Sequence, residues 1–143
     1  MSDETLPAFA SLNVGDPVAQ RDVEISRDTL VRYAAASGDF NPIHYNDAFA
    51  RQAGLPGVIA HGMLTMGIGA SVVEEWAGSG NIVDYQARFT RPVPVPALGA
   101  ATVSVTAVVG ALDHELQQAR IDVTVTFDGA KVMGKAQAIV DCA

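Results

Sequence analysis

The segment from His61 to Ala77 reads as a helix with apolar side chains on nearly every face: Met63, Leu64, Met66, Ile68, Val72, Val73 and Trp76. A helix of that kind has to be covered. The residues after Gly78-Ser79-Gly80 offer the cover. Segments 81–95, 100–112, 115–127 and 130–140 read as strands. Alternation is clean in Val103, Val105, Ala107 and Val109, and again in Ile121, Val123, Val125 and Phe127. Asp113-His114 and Asp128-Gly129 are the predicted hairpin turns. Ahead of the helix, Val18 to Ile25 reads as a strand and residues 27–37 as a helix capped by Ser26. Asn46 caps a second short helix through Ala53, closed by Gly54. Residues 1–11 read as a loose lead-in. The pattern predicts one α+β domain over 1–143, an antiparallel sheet wrapped around one apolar helix. Gly67 and Gly69 cost that helix stability but permit close backbone approach.

Nine basic against sixteen acidic residues leave a net charge of −7, with no run of Lys and Arg. That balance argues against a nucleic-acid partner and against an anionic membrane surface. The longest apolar stretch, Val58 to Val73, carries His61 and three glycines and falls short of a membrane span. The single cysteine, Cys142, allows no disulfide within one chain, which suits a reducing compartment. The acidic start Met1-Ser2-Asp3-Glu4 is followed by no apolar leader, so the expected location is the cytoplasm.

The chemistry concentrates in Ser37-Gly38-Asp39-Phe40-Asn41-Pro42-Ile43-His44. Here a carboxylate and an imidazole lie five residues apart in a loop stiffened by Pro42. Such a loop can aim both groups at one point, and Asp and His are the usual residues for proton transfer near neutral pH. The same residues also suit a plain loop in which Asp39 and Asn41 form Asx turns and His44 has no chemical role. Other signals are weaker. Gly67-Ile68-Gly69 begins like a dinucleotide fingerprint but lacks its strand-turn context. His44, His61, His114 and Cys142 lack metal-ligand spacing, so no metal and no cofactor are expected. Ser37 is not in a nucleophile elbow.

Tyr33 to His44, with Ala50 six residues further on, resembles the hydratase motif of the MaoC-like (R)-specific enoyl hydratases and dehydratases, Gly-Asp-x-Asn-Pro-aliphatic-His. Leu12-Asn13-Val14-Gly15-Asp16, Ile59-Ala60-His61-Gly62-Met63 and Arg88-Phe89-Thr90-Arg91-Pro92-Val93 resemble further parts of that family. The resemblance implies a single hot-dog fold. It also implies a hydro-lyase that interconverts (R)-3-hydroxyacyl and trans-2-enoyl thioesters. Asp39 and His44 are its implied catalytic pair, Asn41 and Pro42 its loop braces, and Gly62 the donor of an N–H to the thioester oxygen. A backbone N–H at a helix start is well placed for that. His61 is expected to be structural. Arg88 and Arg91 are candidates for the phosphates of a pantetheine arm, or solvated strand charges. Some relatives carry a serine where this chain has Ala70, leaving Thr65 or Ser71 as the nearest hydroxyl.

Within the family the chain is most similar to the catalytic subunit of heterodimeric (3R)-hydroxyacyl-ACP dehydratases, partly through Pro92-Val93-Pro94-Val95-Pro96. The implied partners are an acyl thioester, a second hot-dog subunit and an acyl carrier protein. A homodimeric (R)-specific enoyl-CoA hydratase is the alternative. A hot-dog thioesterase or a non-catalytic acyl-binding subunit fits less well. The acid such thioesterases carry on the central helix is matched only by Glu74 and Glu75, at its far end.

Overall fold

Ser26 sets the point at which the first strand gives way to the first helix. Strand β1 (Pro17–Ser26) ends there, and the Ser26 side chain accepts from the Thr29 N–H while Thr29 caps back, a reciprocal capping box that starts α1 (Arg27–Ser37). Gly38, at φ 79°, closes α1 in a left-handed turn that other residues adopt at a cost. A 3-10 turn (Pro42–His44) leads to α2 (Asp47–Gln52), capped by the Asn46 side chain, and then to α3 (Gly62–Ala77). The computed structural model describes residues 8–143, so most of the predicted lead-in lies outside the described residues. Its last part is not loose. Phe9–Ser11 forms a 3-10 turn, and Phe9 buries its ring edge-on to His114 at 5.4 Å.

Strands β2 (Ile82–Phe89), β3 (Ala100–Asp113), β4 (Gln118–Phe127), β5 (Ala130–Lys131) and β6 (Met133–Asp141) complete the chain. The sheet runs β1-β3-β4-β6-β2, with β5 paired to β4, and all its pairings are antiparallel. Val103, Val105, Ala107 and Val109 face Ile121, Val123 and Val125 on the inner side, all buried. That inner side curls around α3.

Three boundaries differ from the sequence reading. The strand predicted over 81–95 stops at Phe89, because Pro92, Pro94 and Pro96 have no N–H to continue a ladder. Beyond Phe89 the chain runs on as an extended strap. Its alternating Val93 and Val95 are buried and bond to Ala60 and Val58, at 2.9 and 3.0 Å. The predicted Asp113-His114 hairpin is wider, since the Asp113 carboxylate accepts from the Glu115 and Leu116 N–H groups, each at 3.0 Å, and holds them in a turn. The strand predicted over 130–140 breaks at Val132, whose carbonyl accepts from Thr90 and Arg91 instead of a neighbouring strand. Helix α3 is also less enclosed than its composition implies. Thr65, Gly69, Val72, Val73 and Ala77 are buried against the sheet, while Met63 on the outer side is 59% exposed. No helix among the described residues is long and apolar enough to cross a membrane.

Candidate active site

The dyad loop is fixed by short local hydrogen bonds. The Asp39 N–H donates to Ser37 Oγ at 3.1 Å, and Asp39 Oδ1 accepts from the Asn41 N–H at 3.1 Å. Asn41 Oδ1 accepts in turn from Ile43 at 3.2 Å, with Pro42 opening the 3-10 turn. These chained Asx turns leave Asp39 one free carboxylate oxygen.

A second segment, residues 58–61, runs beside the loop. The Ile59 N–H donates to the Ile43 carbonyl at 3.1 Å, and the Ile59 carbonyl lies 2.7 Å from His44 Nδ1. A carbonyl only accepts, so Nδ1 carries the proton and Nε2 is left bare. That Nε2 is 4.0 Å from Asp39 Oδ2. The His44 side chain is 8% exposed and that of Asp39 51%, so the imidazole is fixed and the carboxylate meets solvent. One water can span two acceptors at that separation, donating one O–H to each at about 2.8 Å.

Helix α3 begins opposite. Its N-cap residue, His61, makes no side-chain cap bond, and the first N–H groups of a helix have no partner within it. Asp39, His44, Gly62, Met63 and Thr65 line one cleft of about 490 Å³. Glycine at position 62 keeps that entrance open: a Cβ there would sit 3.3 Å from the Phe89 ring. The positive end of the helix and the dyad thus line the same cleft.

The other sequence candidates separate. Thr65 lines the cleft, whereas Ser71 is exposed and donates to the Gly67 carbonyl at 2.9 Å. Arg91 lines the rim, and Arg88 is not part of the lining. Glu74 and Glu75 border a different hollow, and Glu75 pairs with Arg21. Folding also brings His61 to the dyad, so that Asp39, His44 and His61 place potential ligand atoms within 4.8 Å of one another. The spacing of these residues in the chain hides this. His61 Nε2 already faces the Asp39 carbonyl at 3.1 Å, so binding an ion through it would break that contact.

Sequence reasoning missed several contributors. Phe89 and Val132 wall the cleft. Asp47 fastens the 58–61 segment from behind: its Oδ1 accepts from the Val58 N–H at 2.9 Å and from Arg27 at 2.8 Å, and Arg27 also donates to the Val95 carbonyl at 2.9 Å. The Val58 and Arg27 bonds hold the Asp47 carboxyl below its ordinary range. No motif marks these residues, because their role depends on backbone groups brought together from distant parts of the chain.

The family model for the MaoC like domain matches residues 9–127. A 3-hydroxyacyl-thioester dehydratase of Mycobacterium tuberculosis is 44% identical over 82 residues, which is 57% of this chain and 29% of that protein. A solved MaoC-like dehydratase superposes with a TM-score of 0.93 at 37% identity, over 97% of this chain and 43% of that one. The (R)-hydratase from A. caviae involved in PHA biosynthesis gives a TM-score of 0.81 at 27% identity, over 93% and 98%. The chain therefore spans less than half the length of two of these relatives, and matches the third nearly end to end. With the family model spanning most of its length and the curled sheet superposing on solved members, the chain belongs to the MaoC-like dehydratase family and has its hot-dog fold.

Proposed function

We propose that this protein adds or removes water across the double bond of a trans-2-enoyl/(R)-3-hydroxyacyl thioester, with Asp39 and His44 as its catalytic residues. The observation that carries the reading is the pair of bare acceptors, His44 Nε2 and Asp39 Oδ2, 4.0 Å apart on a cleft that the start of α3 closes. In the hydration direction the pair holds one water over C3 and takes its proton as the C–O bond forms. The π electrons move to the thioester oxygen as an enolate, beside the Gly62 N–H. The proton then passes to C2, the carbonyl re-forms and the pair is restored. No electrons are gained or lost, so no redox cofactor enters the balance. Of Thr65 and Ser71, Thr65 is the one whose hydroxyl lies in the cleft, and Arg91 at the rim is the better placed of the two arginines for a pantetheine phosphate.

The acyl group is carried by coenzyme A or by an acyl carrier protein. We place the protein in the cytoplasm, where the lone thiol of Cys142 suits reducing conditions. We also propose that it works beside a second hot-dog subunit. Support comes from β2, which among the described residues pairs only with β6 and leaves Val83 and Phe89 more than half exposed along the open edge, Phe89 at the cleft itself. A heterodimer agrees with the Pro-Val-Pro-Val-Pro segment, and a homodimer would cover the same edge by symmetry.

The test is incubation of the purified protein with crotonyl-CoA and longer enoyl thioesters, following loss of enoyl absorbance, with native mass measured alongside. Turnover that produces the (R)-3-hydroxy ester supports the reading. An inert, folded protein overturns it.

A further inference from the structure

His61 is the least exposed polar residue of the site, at 1%. Its ring touches each part of the catalytic arrangement. Nε2 lies 3.1 Å from the backbone carbonyl of Asp39. Since that oxygen can only accept, Nε2 carries the proton, and Nδ1 is left as a bare, buried lone pair with no partner among the described residues. The ring stacks on His44, with centroids 3.8 Å apart and planes 21° from parallel, and meets the edge of Tyr33 from α1 at 4.7 Å. Its own backbone is the N-cap of α3, one residue before Gly62, and its carbonyl accepts from Leu64 at 3.1 Å.

A purely space-filling side chain would not retain a bare buried nitrogen, since burying an unpaired polar atom costs stability. A phenyl ring would fill the same place without that cost, but would lose the donor to Asp39. We infer that His61 is a positioning residue for the reaction: its Nε2–H sets the height of the Asp39 carboxylate, and its neutral ring fixes the plane of His44. Titratable neighbours face it from the loop (Asp39 and His44) and from α1 (Tyr33), and α3 adds only the Thr65 hydroxyl. Burial is the largest influence on its titration and holds it below the ordinary 6.5, the Asp39 carbonyl opposes this, and His44 reinforces it. A neutral ring can lie against a His44 that gains a proton in each turnover. A cationic one would resist that step.

The inference rests on the hydratase reading, so the experiment separates the two. Wild type, His61→Gln, His61→Phe and His61→Asn are assayed on crotonyl-CoA across pH, with thermal unfolding recorded for each. Gln can place an amide N–H where Nε2 sits. Asn reaches only as far as Nδ1, and Phe keeps the ring without a donor. His61→Phe and His61→Asn are expected to lose about 10- to 100-fold in kcat with little change in KM, the effect of a reacting group displaced by a fraction of an ångström to about 1 Å. His61→Gln keeps the donor but not the ring, so it should lose less turnover than His61→Asn, which keeps neither, with the acid limb of its pH profile moved by loss of the stacked ring. If His61→Phe does not fold, the Gln and Asn pair carries the comparison alone. Full turnover in His61→Phe or His61→Asn, or equal loss in all variants in step with unfolding temperature, overturns the positioning role and leaves the hydratase reading standing. A folded wild type inert on every enoyl thioester overturns both.

Discussion

At the start of α3, side chains are held by hydrogen bonds to single backbone atoms: His44 by the Ile59 carbonyl and Asp39 by the Asn41 N–H. About two turns further along the same helix, position is set by contact. Gly69 lies against Tyr85, and a Cβ there would come within 2.7 Å of the phenol oxygen, which itself donates to the Met66 carbonyl at 3.1 Å. The first region gives up packing for close placement of two groups that must meet solvent and substrate. The second gives up side-chain variety for a tight seam between helix and sheet. Changes in the first should therefore cost rate and spare stability, and changes in the second should do the reverse.

The largest expected effect is on rate. Asp39→Asn and His44→Ala should each lower turnover by about 10²- to 10⁴-fold. Asp39→Asn should melt close to wild type, because Asp39 is half exposed and the Asn41–Ile43 turn survives, whereas His44→Ala should fold with a lower midpoint, since it removes a buried ring and its bond to the Ile59 carbonyl. Steady-state kinetics together with circular dichroism melts check this. A folded variant with near-normal kcat would remove the dyad from the chemistry.

Gly62→Pro comes next. Position 62 is the first residue of α3, where the fixed φ of proline suits the helix and no intrahelical bond is lost. His61 before it already has φ −60° and ψ 132°, the backbone that a following proline prefers. The substitution thus removes the N–H donor while the helix stays intact, and turnover should fall by about 10²- to 10³-fold. A folded Gly62→Pro protein with unchanged kcat would refute the role of that N–H. Proline and valine both add a Cβ 3.3 Å from the Phe89 ring, so Gly62→Val, which keeps the N–H, is the control: it should raise KM by pressing on Phe89 and lose less kcat than Gly62→Pro.

How far these regions were legible in the sequence depends on how they are held. The alternation of Val103 to Val109 against Ile121 to Phe127 is a side-chain pattern, and the sheet it predicts is present. The Gly-Asp-x-Asn-Pro-x-His segment is a contiguous string, and it forms the turn that its residues favour. The cradle beneath it was not legible. The Ile59 carbonyl, the stack of His61 on His44 and the Asp47 fastening use backbone atoms or residues far apart in the chain. The over-long strand at 81–95 has a local cause: valines alternate with prolines there, and apolar alternation hides the missing donors. The helix is apolar on nearly every face by composition, yet the described residues bury only one of its sides.

In the seam, Gly69→Ala sets two effects against each other. Alanine favours the helix by about 1 kcal/mol, while forcing Tyr85 aside costs about 1–3 kcal/mol. The net should be a loss, with kcat on the folded protein nearly unchanged. Tyr85→Phe removes the oxygen that the new methyl would strike, so the cost of Gly69→Ala should shrink in that background, with a coupling of at least about 0.5 kcal/mol in a double-mutant cycle by urea unfolding. Burial raises the Tyr85 hydroxyl to about 12 from 10.0. Its neutral form is the one the fold accepts, so its contribution is whole below about 10 and is lost as pH climbs toward 12. Purely additive stabilities, or an equal cost in both backgrounds, would mean that Gly69 is not needed for Tyr85.

The smallest expected effect belongs to Asp47, which joins the two regimes by fastening the site segment with a charge. Its carboxyl is held below the ordinary 3.8, first by the Val58 N–H and then by Arg27. A lowered value in the folded state means that folding favours the ionised form. The resulting stability is fully present above the unfolded-state value near 3.8 and disappears as pH falls through the lower folded value. Asp47→Asn keeps the shape and one acceptor oxygen but lacks the charge. At neutral pH it should be slightly less stable than wild type, a modest loss because the pair is partly solvent-screened. At acid pH the wild-type carboxyl is protonated too, so the two stability curves should converge once pH falls below its lowered folded value. The Ile59 carbonyl sits one residue from Val58, so a small drop in kcat should accompany the loss at neutral pH, as His44 gains freedom to turn. Urea unfolding of both proteins from pH 7 down to the acid transition reads the first effect, and initial rates read the second. Curves that stay parallel across the acid range would show that the carboxylate charge contributes nothing, and that Asp47 acts at Val58 only as a neutral acceptor.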